Sequence, residues 1–240
     1  MKLVRVLFKR ETAVPMLALL LASVVSLGLI LGRVAWTRDF RYGSLAWNLF
    51  LAWLPLLFAL LARDAFRQGQ RPTWRFYGLA GVWLLFFPNA PYIFTDLIHL
   101  WTRGYGRFWT DLTLILLCAL TGLVLGFVSL YLMQSVVARM FGRAASWLFV
   151  ALAAGLCSFG VYLGRFLRFN SWDLFLKPRR LYHGVDTWMD RTPLNHTSVA
   201  FLVLFATFIF VTYVMLYALT HLPRAEEMQS PLGEGVLRNA

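Results

Sequence analysis

Six stretches of this sequence, residues 13–32, 43–62, 76–94, 112–137, 145–164 and 197–221, contain no Asp, Glu, Lys or Arg. Each is close to the roughly 20 apolar residues that a helix needs to cross about 30 Å of hydrocarbon. Nothing else in the chain restricts its fold so strongly. Lipid cannot hydrogen-bond exposed backbone groups, so the spans are helical, and no period-2 alternation suggests a barrel. The fold expected is all-α, a polytopic transmembrane helical bundle of about six spans. It forms a single membrane domain over residues 1–240, with short interfacial or re-entrant helices in the loops after spans three and five and a polar, flexible tail at 223–240. Composition agrees: 60% of residues are hydrophobic and 14% charged, against about 25% charged in a soluble domain.

The first stretch follows Lys2, Arg5, Lys9 and Arg10. Its uncharged run is long for a signal peptide and no Ala-x-Ala site follows, so it is read as an uncleaved anchor. In a soluble protein a net charge of +12 would point to nucleic acid. Here the basic residues flank the spans, where they set topology and meet anionic head groups, so membrane lipids are the expected partners and nucleic acid is not. Basic residues divide almost evenly between the two sets of loops. The N terminus is assigned to the cytoplasm because the first helix usually dominates orientation. Cys118 and Cys157 fall inside spans and form no paired or metal-binding motif.

One placement holds in either orientation. Residues 88–107 and 165–191 are separated by two spans, so they share a membrane face with the start of the second span and Asn48. Most of the unusual polar residues gather there. The third span ends in Pro88-Asn89-Ala90-Pro91-Tyr92, and two prolines remove donors from the helical ladder. A new helix is expected to begin here, with Asn89 as its N-cap and Pro91 in its first turn. Counted as an α-helix, Tyr92, Thr95, Asp96 and His99 fall at i, i+3, i+4 and i+7, a polar stripe on an otherwise greasy surface. Such a stripe faces protein, water or a ligand, because a charge facing lipid costs about 2.5–3.5 kcal/mol at the bilayer centre. A surface helix floating with its polar side toward water is the simpler alternative.

The fifth span ends in Gly164-Arg165, with Arg168 three residues further on. One turn apart, the two arginines have the spacing of a phosphate or carboxylate clamp. Head-group snorkelling, or a salt bridge to Asp96 or Asp173, would occupy the same side chains. Ser171 is expected to cap a short helix at 172–177 that Pro178 stops. His183 and Asp186 repeat the one-turn spacing of Asp96 and His99, and these four are the candidate ligands of a divalent metal. No His-Glu-x-x-His motif or cysteine set accompanies them, so no cofactor is predicted. No nucleophile elbow, phosphate-cradling loop or dinucleotide fingerprint occurs either. Gly122 with Gly126, and Gly160 with Gly164, have the small-x-x-x-small spacing that lets backbones approach within a bundle or across a dimer.

These residues resemble the signature of a bacterial multi-pass membrane family, domain of unknown function 1361. The resemblance rests on Trp47-Asn48-Leu49-Phe50-Leu51-Ala52-Trp53 with Pro55, on Pro88 to Tyr92 continuing through Thr95-Asp96-Leu97-Ile98-His99-Leu100, and on Gly164-Arg165 with Asn170-Ser171-Trp172-Asp173. It implies a prokaryotic plasma-membrane protein and brings no activity, substrate or catalytic residue.

Three functions are compatible with the constellation. In the first, an anionic, phosphate-bearing lipid is held by Asn48, Asn89, Tyr92, Thr95, Arg165, Arg168, Asn170 and Asp173 while Asp96 and His99 exchange protons as acid and base. In the second, a transporter or permease uses the break at Pro88 as a discontinuous helix. In the third, the charged residues are structural salt bridges of a non-catalytic scaffold subunit that binds a membrane-protein partner or a second copy of itself.

Overall fold

Every regular element among the described residues is helical, as backbone groups immersed in lipid require. The computed structural model describes residues 10–38, 40–69, 72–102, 108–169, 171, 173, 179, 183, 186 and 196–220. Helix α1 (Arg10–Thr37) leads through a 3-10 turn at Phe40–Tyr42 into α2 (Gly43–Gly69). Helix α3 (Trp74–Phe86) continues through the single turn of α4 (Asn89–Tyr92) into a 3-10 helix at Ile93–Thr102, and α5 (Phe108–Arg165) and α6 (His196–Thr220) complete the bundle. Five helical stretches are long and apolar enough to cross a membrane: Val14–Thr37, Gly43–Gly69, Trp74–Ile98, Phe108–Arg165 and Ser198–Thr220. The protein is thus a membrane-embedded all-α bundle. The tail at 223–240 lies outside the described residues.

Five helices rather than six arise because the fourth and fifth apolar stretches are joined in α5, which has 58 residues. A straight helix of that length would run about 87 Å. Gly142 breaks it with φ 87° and ψ 175°, a combination open essentially to glycine alone. Trp83 shows what the break does. Its indole N–H donates to Ser129 Oγ at 3.1 Å, and its ring stacks on Phe149 with centroids 5.8 Å apart. On a continuous helix residues 129 and 149 would stand about 30 Å from each other. One side chain touches both, so the chain reverses at Gly142 and α5 consists of two antiparallel arms. The arms form the centre of the bundle, whereas α6 lies at its periphery with most of its surface outward.

Polar side chains tie the helices together where no water competes. Trp53 donates to Ser23 Oγ at 3.1 Å, and Ser158 Oγ donates to the Leu202 carbonyl at 2.8 Å. The hydroxyls of Tyr162 and Ser198 meet at 2.9 Å, and Tyr213 donates to Gln134.

Helix α3 ends at Phe86 and a new turn begins at Asn89, as expected of the double proline, but the backbone between them stays helical. Phe87, Pro88 and Ile93 all keep right-handed helical dihedrals, with ψ of −25° at Pro88 and −27° at Ile93, values of 3-10 geometry. The prolines remove α-helical donors, and the chain responds by tightening its pitch. The Ala90 N–H already returns to the Phe87 carbonyl at 3.2 Å, three residues back. Asn89 is therefore not an N-cap; Pro88 stands at that position, without a side-chain cap bond. The polar stripe also changes register. At three residues per turn, Ile93, Asp96 and His99 stack along the backbone instead of the α-helical set of Tyr92, Thr95, Asp96 and His99. Ile93 and Asp96 are buried and Ile98 is exposed, so this side faces the bundle and not water.

Both glycine pairs grip this segment. An added Cβ at Gly122 would stand 2.7 Å from the Ala90 carbonyl oxygen and 2.9 Å from Ile93 Cδ1, and one at Gly126 would stand 2.9 Å from Ala90 Cβ. On the other arm, a Cβ at Gly160 would overlap the Pro88 ring, and one at Gly164 would press on the Tyr92 ring at 3.1 Å. The small-residue spacing thus serves packing within the chain. Each arm of α5 contributes one pair, and the turn from Pro88 to Tyr92 is seated between them.

Candidate functional site

Asp96 lies at the meeting point of three elements. The residue is 6% exposed, and its carboxylate accepts from Asn48 Nδ2 of α2 at 3.0 Å and from Arg165 Nη1 at the end of α5 at 3.1 Å. The partners are 48 and 69 positions away in the chain, yet alternation of the spans delivers all three to one face. The arginine is held by charge as well as by the hydrogen bond, and both side chains are mostly shielded from solvent. A carboxylate engaged at both oxygens is suited to fixing its neighbours and poorly suited to shuttling protons.

Beside this cluster is a cavity of about 360 Å³. Its polar wall consists of Asn48, Asn89, Tyr92 and Ser171, and its apolar wall of Trp47, Leu51, Leu85, Pro88, Phe159, Leu163 and Phe169, with Gly160 and Gly164 leaving room between them. Asn89 is drawn across by Ser171, whose Oγ accepts from Asn89 Nδ2 at 3.1 Å. Asp96 and Arg165 stand behind Asn48 rather than in the wall.

A model of the family described as "Protein of unknown function (DUF1361)" matches residues 47–217. The chain belongs to the DUF1361 family. No curated protein and no solved structure matches it. The matched segment contains Asn48, Asp96 and Arg165, the whole cavity and both glycine pairs.

Other candidates of this DUF1361 protein are placed differently from their spacing. Arg168 does not share a helical face with Arg165, because α5 ends at Arg165. Arg168 takes a left-handed φ of 55°, which lets the Phe169 N–H close back on the Leu163 carbonyl at 3.1 Å, one of the carbonyls a helix end leaves open. It is exposed, next to Phe169 of the cavity wall. The Thr95 hydroxyl turns onto the Tyr92 carbonyl at 2.6 Å and serves its own turn. Asp173 is buried and helical, His183 and Asp186 are exposed, and Asn170 and most of the helix expected at 172–177 lie outside the described residues. Among the described residues no three metal-ligating side chains come together.

A second ion pair on the same face escaped the sequence reading. Arg33 Nε meets Asp111 Oδ1 at 2.8 Å, with side-chain exposures of 11% and 3%, and the guanidinium lies 5.1 Å from the Tyr42 ring centroid. The available signal was one charge of each sign just outside an apolar stretch, on ends that span alternation brings to a common face. Ser171 was read only as a helix cap and as part of the family signature, and Trp47 only as part of that signature.

Proposed function

We propose that this membrane protein binds an amphipathic ligand, an anionic membrane lipid, in the cavity beside Asn48. The observation that carries the reading is the gradient of polarity with depth. Helix α2 runs inward from this face, so Leu51 lies deeper than Asn48; α3 and the second arm of α5 run outward, so Leu85 lies deeper than Asn89 and Phe159 deeper than Gly164. At 1.5 Å per residue each apolar residue is about 4–8 Å further into the bilayer than its polar or rim counterpart. Two elements thus set an amide toward the head groups with hydrocarbon below, and the second arm of α5 continues the apolar wall, which matches the orientation of a lipid. The volume of about 360 Å³ falls in the usual range for small-molecule sites, about 300–1,000 Å³. Arg168 supplies exposed positive charge beside the wall for a phosphate, whereas Arg165 is engaged by Asp96. That engagement favours binding over proton transfer by Asp96 and His99. The reading extends to a prokaryotic plasma membrane with the N terminus in the cytoplasm, supported by the basic residues before α1, which puts the cavity at the outer face.

Native mass spectrometry of protein purified in mild detergent and supplied with mixed phosphatidylglycerol and phosphatidylcholine tests this. The expected result is a one-to-one phosphatidylglycerol adduct that Leu163→Trp, filling the cavity, removes. No adduct in the wild type, or an equal adduct in the variant, would overturn it.

A further inference from the structure

The two amides of the polar wall have a direction. Asp96 is salt-bridged to Arg165, and an ionised carboxylate only accepts hydrogen bonds. It therefore holds the NH₂ end of Asn48 toward itself. Asp96 is not part of the cavity wall and Asn48 is, so the donor end of the amide is committed to Asp96 and its carbonyl oxygen is the atom left for a ligand. At Asn89 the NH₂ end is likewise engaged, by Ser171 Oγ. Among the described residues neither Asn48 Oδ1 nor Asn89 Oδ1 has a hydrogen-bond partner. Two amide acceptors without a partner thus belong to residues lining a largely apolar cavity, and a ligand that covers them without donating leaves them at a cost.

We propose that the cavity selects a head group rich in hydrogen-bond donors, a hydroxylated one of the glycerol or sugar type, and that Asp96 is the positioning residue that sets this preference by orienting Asn48. The inference rests on the lipid reading above and sharpens it: charge attracts the phosphate to the rim at Arg168, and hydroxyls are read by the two amide oxygens. A site that offers fixed acceptors discriminates against an analogue lacking the hydroxyls, because its acceptors are then left unpaired.

The test compares two lipids of equal charge, phosphatidylglycerol and phosphatidylmethanol, in nanodiscs of phosphatidylcholine containing a minor share of one or the other. Retention is measured after extraction of the full-length protein. Wild-type protein is expected to retain phosphatidylglycerol roughly tenfold over phosphatidylmethanol, the effect of one or two hydrogen bonds. Asp96→Asn, which can donate as well as accept and so frees Asn48 to turn, should lower that ratio several-fold. Ser171→Ala, which lets go of Asn89 at a site away from the buried ion pair, should lower the ratio several-fold and serves if D96N does not fold. A ratio is the readout because a merely structural loss lowers both lipids together. Equal retention of the two lipids by the wild type, both abolished by Leu163→Trp, overturns donor selection and leaves the lipid site standing. Retention of neither overturns both. An unchanged ratio in Asp96→Asn overturns the positioning role of Asp96, and an unchanged ratio in Ser171→Ala overturns donor recognition by Asn89.

Discussion

A single methyl group placed at Gly160 interrogates the seat in which the Pro88 turn rests. The added Cβ would overlap the Pro88 ring, which is rigid and cannot swing aside. Gly155, on the same arm of α5, is an internal control: it is exposed, and nothing lies within 4 Å of its added Cβ. Alanine is favoured over glycine inside a helix by about 0.8–1.0 kcal/mol, so Gly155→Ala should be neutral or stabilising. Gly160→Ala gains the same propensity and loses about 1–3 kcal/mol to overpacking. The two variants should therefore differ by about 1–3 kcal/mol, which at this chain length corresponds to roughly 2–12 °C in melting temperature. Thermal unfolding in mild detergent can be followed by intrinsic tryptophan fluorescence, since Trp83 stacks on both Phe87 and Phe149 and reports on this seat. If Gly160→Ala melts with Gly155→Ala or above it, the second arm of α5 does not carry Pro88 against its backbone, and the cavity geometry derived from that contact falls with it.

The buried pair makes a separate prediction. Asp96→Ala leaves Arg165, whose side chain is 16% exposed, without its partner and should cost about 3–5 kcal/mol; the double replacement Asp96→Leu with Arg165→Met should cost less than the single one, and a double variant whose loss equals the sum of the two singles would refute the pairing. Topology is tested by single cysteines in a background lacking the buried Cys118 and Cys157. Ser44→Cys and Phe166→Cys should react with an impermeant thiol reagent from one side of the membrane and Gln68→Cys and Phe141→Cys from the other, whereas labelling of positions 141 and 166 from the same side would contradict the reversal at Gly142.

Much of the fold was legible because it depends on linear order. Stretches without charge announce the spans, and their alternation assigns Asn48, the Pro88 segment and Arg165 to one face before any coordinate is known. The site was only partly legible. Arg165 and Arg168 appear as a matched pair when counted as helix, but α5 ends at the first of them. The polar stripe likewise appears α-helical until the two prolines tighten its pitch. Both errors come from extending a regular period across a place where proline or a helix end changes it. Ser171 and Trp47 gave no sequence signal specific to the cavity, since serine caps and interfacial tryptophans are ordinary at span ends.

Hydrophobic length and span order, both properties of the sequence itself, determined that this chain lives in a membrane and that its polar residues share a face. Tertiary structure alone decided which donor meets which acceptor: that Asp96 is held by Asn48 and Arg165, that Arg33 finds Asp111, and that two glycine pairs close on one turn. Hydrophobic burial is roughly proportional to area and indifferent to direction, so it can be summed along a chain. Hydrogen bonds and close backbone contacts depend on ångström-scale distance and angle, and those exist only once the helices have packed.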